Sequence, residues 1–302
     1  MIAAVRYVLL PMCEGHTHKT IEISEGEYLT ILEAETQLSH ALSVEDKYDV
    51  TIQNYFEFES AVVHEAVRDL VGISRGDEAS VSLRRMLSRR ISNVLSSARL
   101  YLDTLSDHSR GIFSTNPMSV AKIDGEVRAQ YDGSPHYRLA EALRNYAQHY
   151  ALPVHGLFGP ASDENIRLSF ATEPFVDPDE LREDGKFKKS VLSELPVDGD
   201  VVKLKPVLRS YIEALGSIQK VFRTEADPVL VAAFEVFEAA RERHGEAYPN
   251  ESARFLGAAP MNDQEGFEGE IIYIEAEMRR LLNYFKASKP SMDRLSDRRI
   301  DF

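Results

Sequence analysis

Arg144, Asn145 and His149 sit close together in the stretch 138–149, RLAEALRNYAQH, and their types suit one chemistry. Cleavage of RNA without a metal needs a base for the 2′-OH proton, an acid for the leaving oxygen and positive charge on the phosphorane. Histidine titrates near neutral pH and transfers protons. Arginine presents a fixed fork of donors to phosphate oxygens. In this reading His149 transfers the proton, Arg144 clamps the phosphate and Asn145 orients by hydrogen bonding. At ~100° per residue, positions five apart diverge by about 140° on a straight helix. Arg144 and His149 therefore do not converge within one straight helix; a helix end or a symmetry-related copy could unite them, and a homodimer is expected. Asn145 and His149, one turn apart, share a face.

The Arg144, polar residue, His149 pattern resembles the Rx4–6H signature of the HEPN superfamily. The wider block, from Arg138 through Leu143 and 144–149 to Leu152, Pro153, Val154 and His155, is similar to an LRNYxQH…LPVH block of uncharacterised bacterial proteins. The stretch 54–59 (NYFEFE) belongs to the same pattern, and the resemblance covers roughly 25–155. It implies a compact, usually dimeric helical bundle. It implies a metal-independent endoribonuclease, with Arg144 and His149 lining a cleft at the dimer interface and no cofactor. Bacterial defence or a toxin–antitoxin setting follows from it, with an antitoxin or regulator as protein partner. Other HEPN domains are non-catalytic binding or scaffold modules, so the fold by itself leaves function open.

The plainer readings stand beside these. Arg144 could pair with Glu141 instead of a phosphate, and His149 could serve only as a favourable positive charge in a last helical turn. Leu139, Leu143 and Tyr146 read as core. Between Ser80 and Leu102 there are Arg84, Arg85, Arg89, Arg90 and Arg99 and no acidic residue. Arg85 and Arg89, opposite the apolar seam, make either a solvated face or a phosphate track. His155, just past Pro153, is either a second proton-transfer and RNA-binding group or a loop cap. His108 and His136 read as surface or loop residues. Cys13, His16 and His18 cluster without a fourth ligand, and no metal site is predicted. His64-Glu65 begins like a zinc-protease helix, but Arg68 stands where a second histidine is needed. The acidic run 177–185 lacks calcium-loop spacing. GxGxxG, GxxxxGK[ST] and GxSxG motifs are absent.

The elements that must hold these residues are mostly helices. Ser24 and Glu27 form a capping-box signature that opens a helix over about 25–42. A weaker signal at Ser43 and Asp46 separates it from an amphipathic stretch at 44–71. Leu87, Ile91, Val94, Ala98, Tyr101 and Leu105 step by four and three along a helix at 80–109, a seam for packing on another helix. Gly111 to Pro117 reads as a break, 118–131 as a helix, and Ser134-Pro135 as the start of a helix to about 150. Pro153 ends that helix. Gly156, Gly159 and Pro160 read as a loop, 166–170 as a strand, 173–179 as a lead-in to a helix at 180–194, and 196–200 as a loop. Helices follow at 203–223 and 228–244, a polar loop at 257–269, a strand at 271–274 and a helix at 277–286. The basic tail 279–299 reads as a surface or interface helix.

Composition bounds the rest. The 302 residues are 43% hydrophobic and carry a net charge of −14, enough apolar content for a real core. Basic residues number 15 against 21 acidic in 1–160 and 20 against 28 in 161–302, so neither half is a bulk nucleic-acid binder. One cysteine rules out an internal disulfide and fits a reducing cytoplasm. No run has the uncharged length of a membrane span. The first ten residues contain Arg6 and lack a basic leader and cleavage site, so no signal peptide is predicted. The prediction is a mainly α protein. A strand-like segment at 1–24 precedes a HEPN-like bundle at 25–156. A mainly helical region at 157–302, packed on the bundle, adds one small sheet from 166–170, 271–274 and 5–10.

Overall fold

The computed structural model describes residues 5–12, 19–73, 77–158, 161–162, 168–169, 172–249, 255–262, 267, 269–288 and 292–298. In chain order the elements are β1 (Arg6–Pro11), β2 (Ile21–Ile23), α1 (Glu25–Leu70), α2 (Asp77–Ile112), α3 (Pro117–Gly133) and α4 (Pro135–His149). Then come β3 (Gly156–Phe158), β4 (Ala161–Ser162), β5 (Leu168–Ser169), β6 (Glu173–Val176), α5 (Pro178–Asp184) and α6 (Lys189–Leu192). The chain closes with β7 (Val202–Lys203), α7 (Leu204–Ala247), β8 (Phe255–Met261), β9 (Ile272–Glu275), α8 (Ala276–Ser288) and a 3-10 turn at Leu295–Asp297. The protein is mainly α with small antiparallel sheets, as the sequence predicts. Among the described residues, no helix is long and apolar enough to cross a membrane.

The capping box forms as predicted. The Ser24 N–H donates to Glu27 Oε2 at 2.7 Å, and the Glu27 N–H donates back to Ser24 Oγ at 3.2 Å. The Ser24 N–H, together with the Ser24 hydroxyl donating to the same oxygen at 2.9 Å, holds the Glu27 carboxyl below its usual range. The predicted gap at Ser43 does not exist. Ser43 Oγ donates to the Ser39 carbonyl at 3.0 Å, as a mid-helix serine does, and Val44 and Glu45 beside it are buried. The predicted break at 111–117 is present at 113–116, with α2 running two residues into it, through Gly111 to Ile112. A Cβ at Gly111 would lie 2.0 Å from His40 Nδ1, so glycine admits the close approach of α1. His108, read as a surface or loop residue, lies in α2 with its ring 4.6 Å from that of His40. Pro228 sits inside α7, where the sequence predicts two helices. Its missing N–H costs a helical hydrogen bond. Buried Ala226, Leu230 and Ala233 on either side hold the helix together.

The β content is larger than predicted. Among the described residues three sheets replace one: β2-β1-β8-β9, β3-β6-β7 and β4-β5. Part of the predicted loop 257–269 is β8, whose Leu256, Ala258 and Ala259 are buried. Gly156 is in β3, and the supposed lead-in at 173–176 is β6, paired with β3 and β7. The segment 5–10 pairs with β8, and 271–274 falls largely in β9, as strands of one sheet. Leu168 belongs to a separate pair with β4; Ile166 and Phe170 lie outside the described residues. The helix predicted at 180–194 is broken at Gly185, whose φ of 66° is the left-handed C-cap of α5.

By their contacts the residues form two compact units. The first comprises Met1–Asp46, Leu105–Val120 and Phe222–Pro290. Its sheet buries Val8, Leu10, Ala259 and Met261 together. Deep in this unit, Arg223 donates from Nε and Nη2 to the two oxygens of Glu45 at 2.8 and 2.7 Å. The second unit comprises Lys47–Thr104, Ala121–Val221 and Ser291–Phe302. The five seam residues of α2 in this unit, Leu87, Ile91, Val94, Ala98 and Tyr101, are buried, as is Leu105 in the first, and the Tyr101 hydroxyl donates to Gln219 at 2.9 Å. In this unit Arg209 Nε meets Glu59 at 2.7 Å, and Tyr55 donates to the same carboxylate at 2.7 Å. Glu213 accepts the N–H groups of Arg294 and Ser296, which anchors the final 3-10 turn.

The Glu45 side chain is 2% exposed, so removing its partner strands a buried charge. Arg223→Ala is expected to cost about 3–5 kcal/mol. The double change Glu45→Leu with Arg223→Met should cost far less. Arg243→Ala, at the exposed pair with Glu27, should cost about 1 kcal/mol or less. Chemical denaturation of the three proteins checks the ordering.

Candidate functional site

Helix α4 begins as the sequence predicts. Ser134 is its N-cap, its Oγ accepting the Tyr137 N–H at 3.2 Å, and Pro135 fills the first turn, where no N–H is needed. Tyr137, Leu139, Ala140, Ala142, Leu143 and Tyr146 are buried. Arg138 reaches back from α4 to the last carbonyls of α3, donating to Tyr131 and Asp132 at 2.7 Å each, and its Nε binds Glu194 at 2.9 Å. A guanidinium at those carbonyls satisfies groups that a helix end leaves without partners.

Glu141 fixes the rotation of α4. Its carboxylate accepts the hydroxyl of wholly buried Tyr211 and lies 3.6 Å from Arg99. Burial and this carboxylate push the Tyr211 hydroxyl far above its usual range, so it remains a donor. Glu141 is therefore not the partner of Arg144. Arg144 is half-buried, and its Nη1 donates to Asn145 Oδ1 at 2.8 Å. Its Nε is buried and makes no hydrogen bond among the described residues.

Asn145 and His149, both exposed, line one groove of about 440 Å³. Ala142, Tyr146 and Tyr150 complete its α4 side. Lys186, Phe187 and Lys188, from the connection between α5 and α6, form the other side. Phe187 is buried, with its ring centroid 5.8 Å from that of Tyr146. Lys186 Nζ stands 5.1 Å from the centroid of Tyr150. Lys188 Nζ donates to the Tyr131 hydroxyl at 2.8 Å. Arg144 is not among the lining residues, as the ~140° divergence from His149 requires. The groove thus unites two of the three residues singled out in the sequence, and Arg144 reaches it only through its bond to Asn145.

The other predicted site residues lie elsewhere. Arg85 and Arg89 are exposed on α2 and pair with no carboxylate among the described residues. The neighbouring arginines are engaged: Arg84 donates to the His155 carbonyl at 3.0 Å, Arg90 pairs with Glu57, and Arg99 with Asp103 and Glu141. The His155 side chain is 6% exposed and does not line the groove. Its Nδ1 accepts the Asp177 N–H at 3.2 Å, at the entry to α5, and its own N–H donates to Phe175. Arg68 meets Glu65 at 3.9 Å on α1. Cys13, His16 and His18 lie outside the described residues.

Lys186, Lys188 and Tyr150 were missed in the sequence. Gly185, with Lys186, Lys188 and Lys189 after it, was the available signal, because glycine at a helix end turns the chain and exposes the next residues. No family model, curated protein or solved structure matches this chain.

Burial is the largest influence on His155 and lowers its pKa. The Glu180 carboxylate, 3.2 Å from Nδ1, favours the protonated ring but is outweighed. The folded protein therefore binds this proton less readily than the unfolded chain, whose histidines titrate near pH ~6.5. Stability carried by neutral His155 should be present above that pH and be lost as pH falls through the lowered folded value. His136 shifts the same way, also through burial. Thermal melts between pH 7 and 5 should show a steeper loss for the native protein than for His155→Gln, where only the His155 contribution is gone.

Proposed function

We propose that the chain is a metal-independent endoribonuclease of the HEPN type. The observation that carries this reading is the meeting of His149 and Asn145 in one groove whose opposite wall bears Lys186 and Lys188. His149 takes the proton from a ribose 2′-OH, the 2′-oxygen attacks phosphorus, and the P–O5′ bond breaks. The products are a 2′,3′-cyclic phosphate and a 5′-hydroxyl, whose proton comes from a protonated histidine. Arg144 stabilises the phosphorane charge of a site completed by a second copy of the chain, since it does not line the groove of its own copy. Bacterial defence, with an antitoxin holding the enzyme in check, is the setting this reading implies.

A second reading has its own support. Arg144 is tied to Asn145, and its Nε is buried, so in one copy it is a framework residue. That favours a non-catalytic HEPN-like binding or scaffold protein, with the groove as its interaction surface.

Cleavage of labelled RNA in the presence of chelator separates the two. His149→Ala should lower turnover by about 10²–10⁴. Arg144→Ala should lower turnover far more than RNA affinity, and Arg144→Lys, which keeps charge but loses the fork, should restore part of it. Light scattering should give twice the 34.1 kDa of one chain. Native protein that cuts no RNA at any concentration, with Arg144→Ala melting early, selects the binding module.

A further inference from the structure

The wall of the groove that sequence reasoning missed has its own logic. Phe187 is buried against Tyr146, and the chain on either side of it is not helical. Lys186 and Lys188, two positions apart around that anchor, both line the groove. Neither forms an ion pair among the described residues. Lys186 instead rests against the Tyr150 ring, and Lys188 donates to the neutral Tyr131 hydroxyl. A cation over an exposed ring is held weakly and is released easily to an anion. Tyr150 is 52% exposed, so displacing Lys186 bares a stacking surface.

We propose that this groove seats one nucleotide, with its phosphate between Lys186 and Lys188 and its base stacked on Tyr150. Lys186 leaves the ring for the phosphate as the base takes its place. Two compact ammonium charges suit a phosphate, and a tyrosine face accepts any base because every base has a π-face. The volume of about 440 Å³ falls in the range of small-ligand sites. The choice of a nucleotide rests on the ribonuclease reading. Binding of a free nucleotide needs no cleavage.

Calorimetric titration with cytidine 5′-monophosphate, cytidine and inorganic phosphate tests the seat. The nucleotide should bind about ten-fold or more tighter than either part. Lys186→Ala with Lys188→Ala should weaken the nucleotide about ten-fold and leave cytidine unchanged. Tyr150→Ala should weaken the nucleotide and cytidine by about ten-fold, and Tyr150→Phe should restore both. Melting curves exclude misfolding as the cause. A nucleotide that binds no better than phosphate, or a lysine double variant that binds like the native protein, overturns the proposal. RNA cleavage by the native protein alongside an unaffected lysine variant sinks the seat and keeps the nuclease. Loss of nucleotide binding in the variants of a protein that cuts nothing keeps the seat and sinks the nuclease.

Discussion

One half-buried carboxylate governs the site. Glu141 is held by the buried Tyr211 hydroxyl from α7 and faces Arg99 from α2, so rotating α4 would break both contacts and leave the Tyr211 hydroxyl without its acceptor. Positions four apart on a helix drift by about 40°. Asn145 and His149, four and eight residues beyond Glu141, therefore climb in two steps from the buried network to the open groove. Arg144 lies on the other side of that stripe. A helix pinned at Glu141 brings Asn145 and His149 together in the groove and leaves Arg144 out of its lining.

The second wall is set by a different constraint. Gly185 adopts a left-handed conformation that other residues reach only with strain, and the chain turns there. Phe187 then packs at Tyr146 and leaves its two lysine neighbours at the groove. Each side then carries polar groups, an amide and an imidazole on one and two ammonium groups on the other, among the rings of Tyr146, Tyr150 and Phe187.

The same competition between local and long-range forces explains the helices. Ser43 and Pro228 are each helix-ending signals, and each is overridden where its neighbours are buried. Val44 and Glu45, and Ala226 with Leu230, supply packing that a local signal of about 1–3 kcal/mol does not outweigh. At Gly185 the flanking residues are exposed, and the local preference prevails.

Periodicity and capping were enough for the mainly α class, the buried α2 seam, the start of α1 at Ser24 and the start of α4 at Ser134. These rest on interactions within one or two turns, which neighbouring residues encode directly. The shared face of Asn145 and His149, and the divergence of Arg144, came from helical geometry for the same reason. The continuity of α1 and α7, the strand at Phe255–Met261, the role of Glu141 and the lysine wall did not. Each depends on a partner far along the chain: Arg223 for Glu45, β1 for β8, Tyr211 for Glu141, and Tyr146 for Phe187. Desolvation and pairing between distant residues decide such features, and no local window of sequence contains both members of the pair.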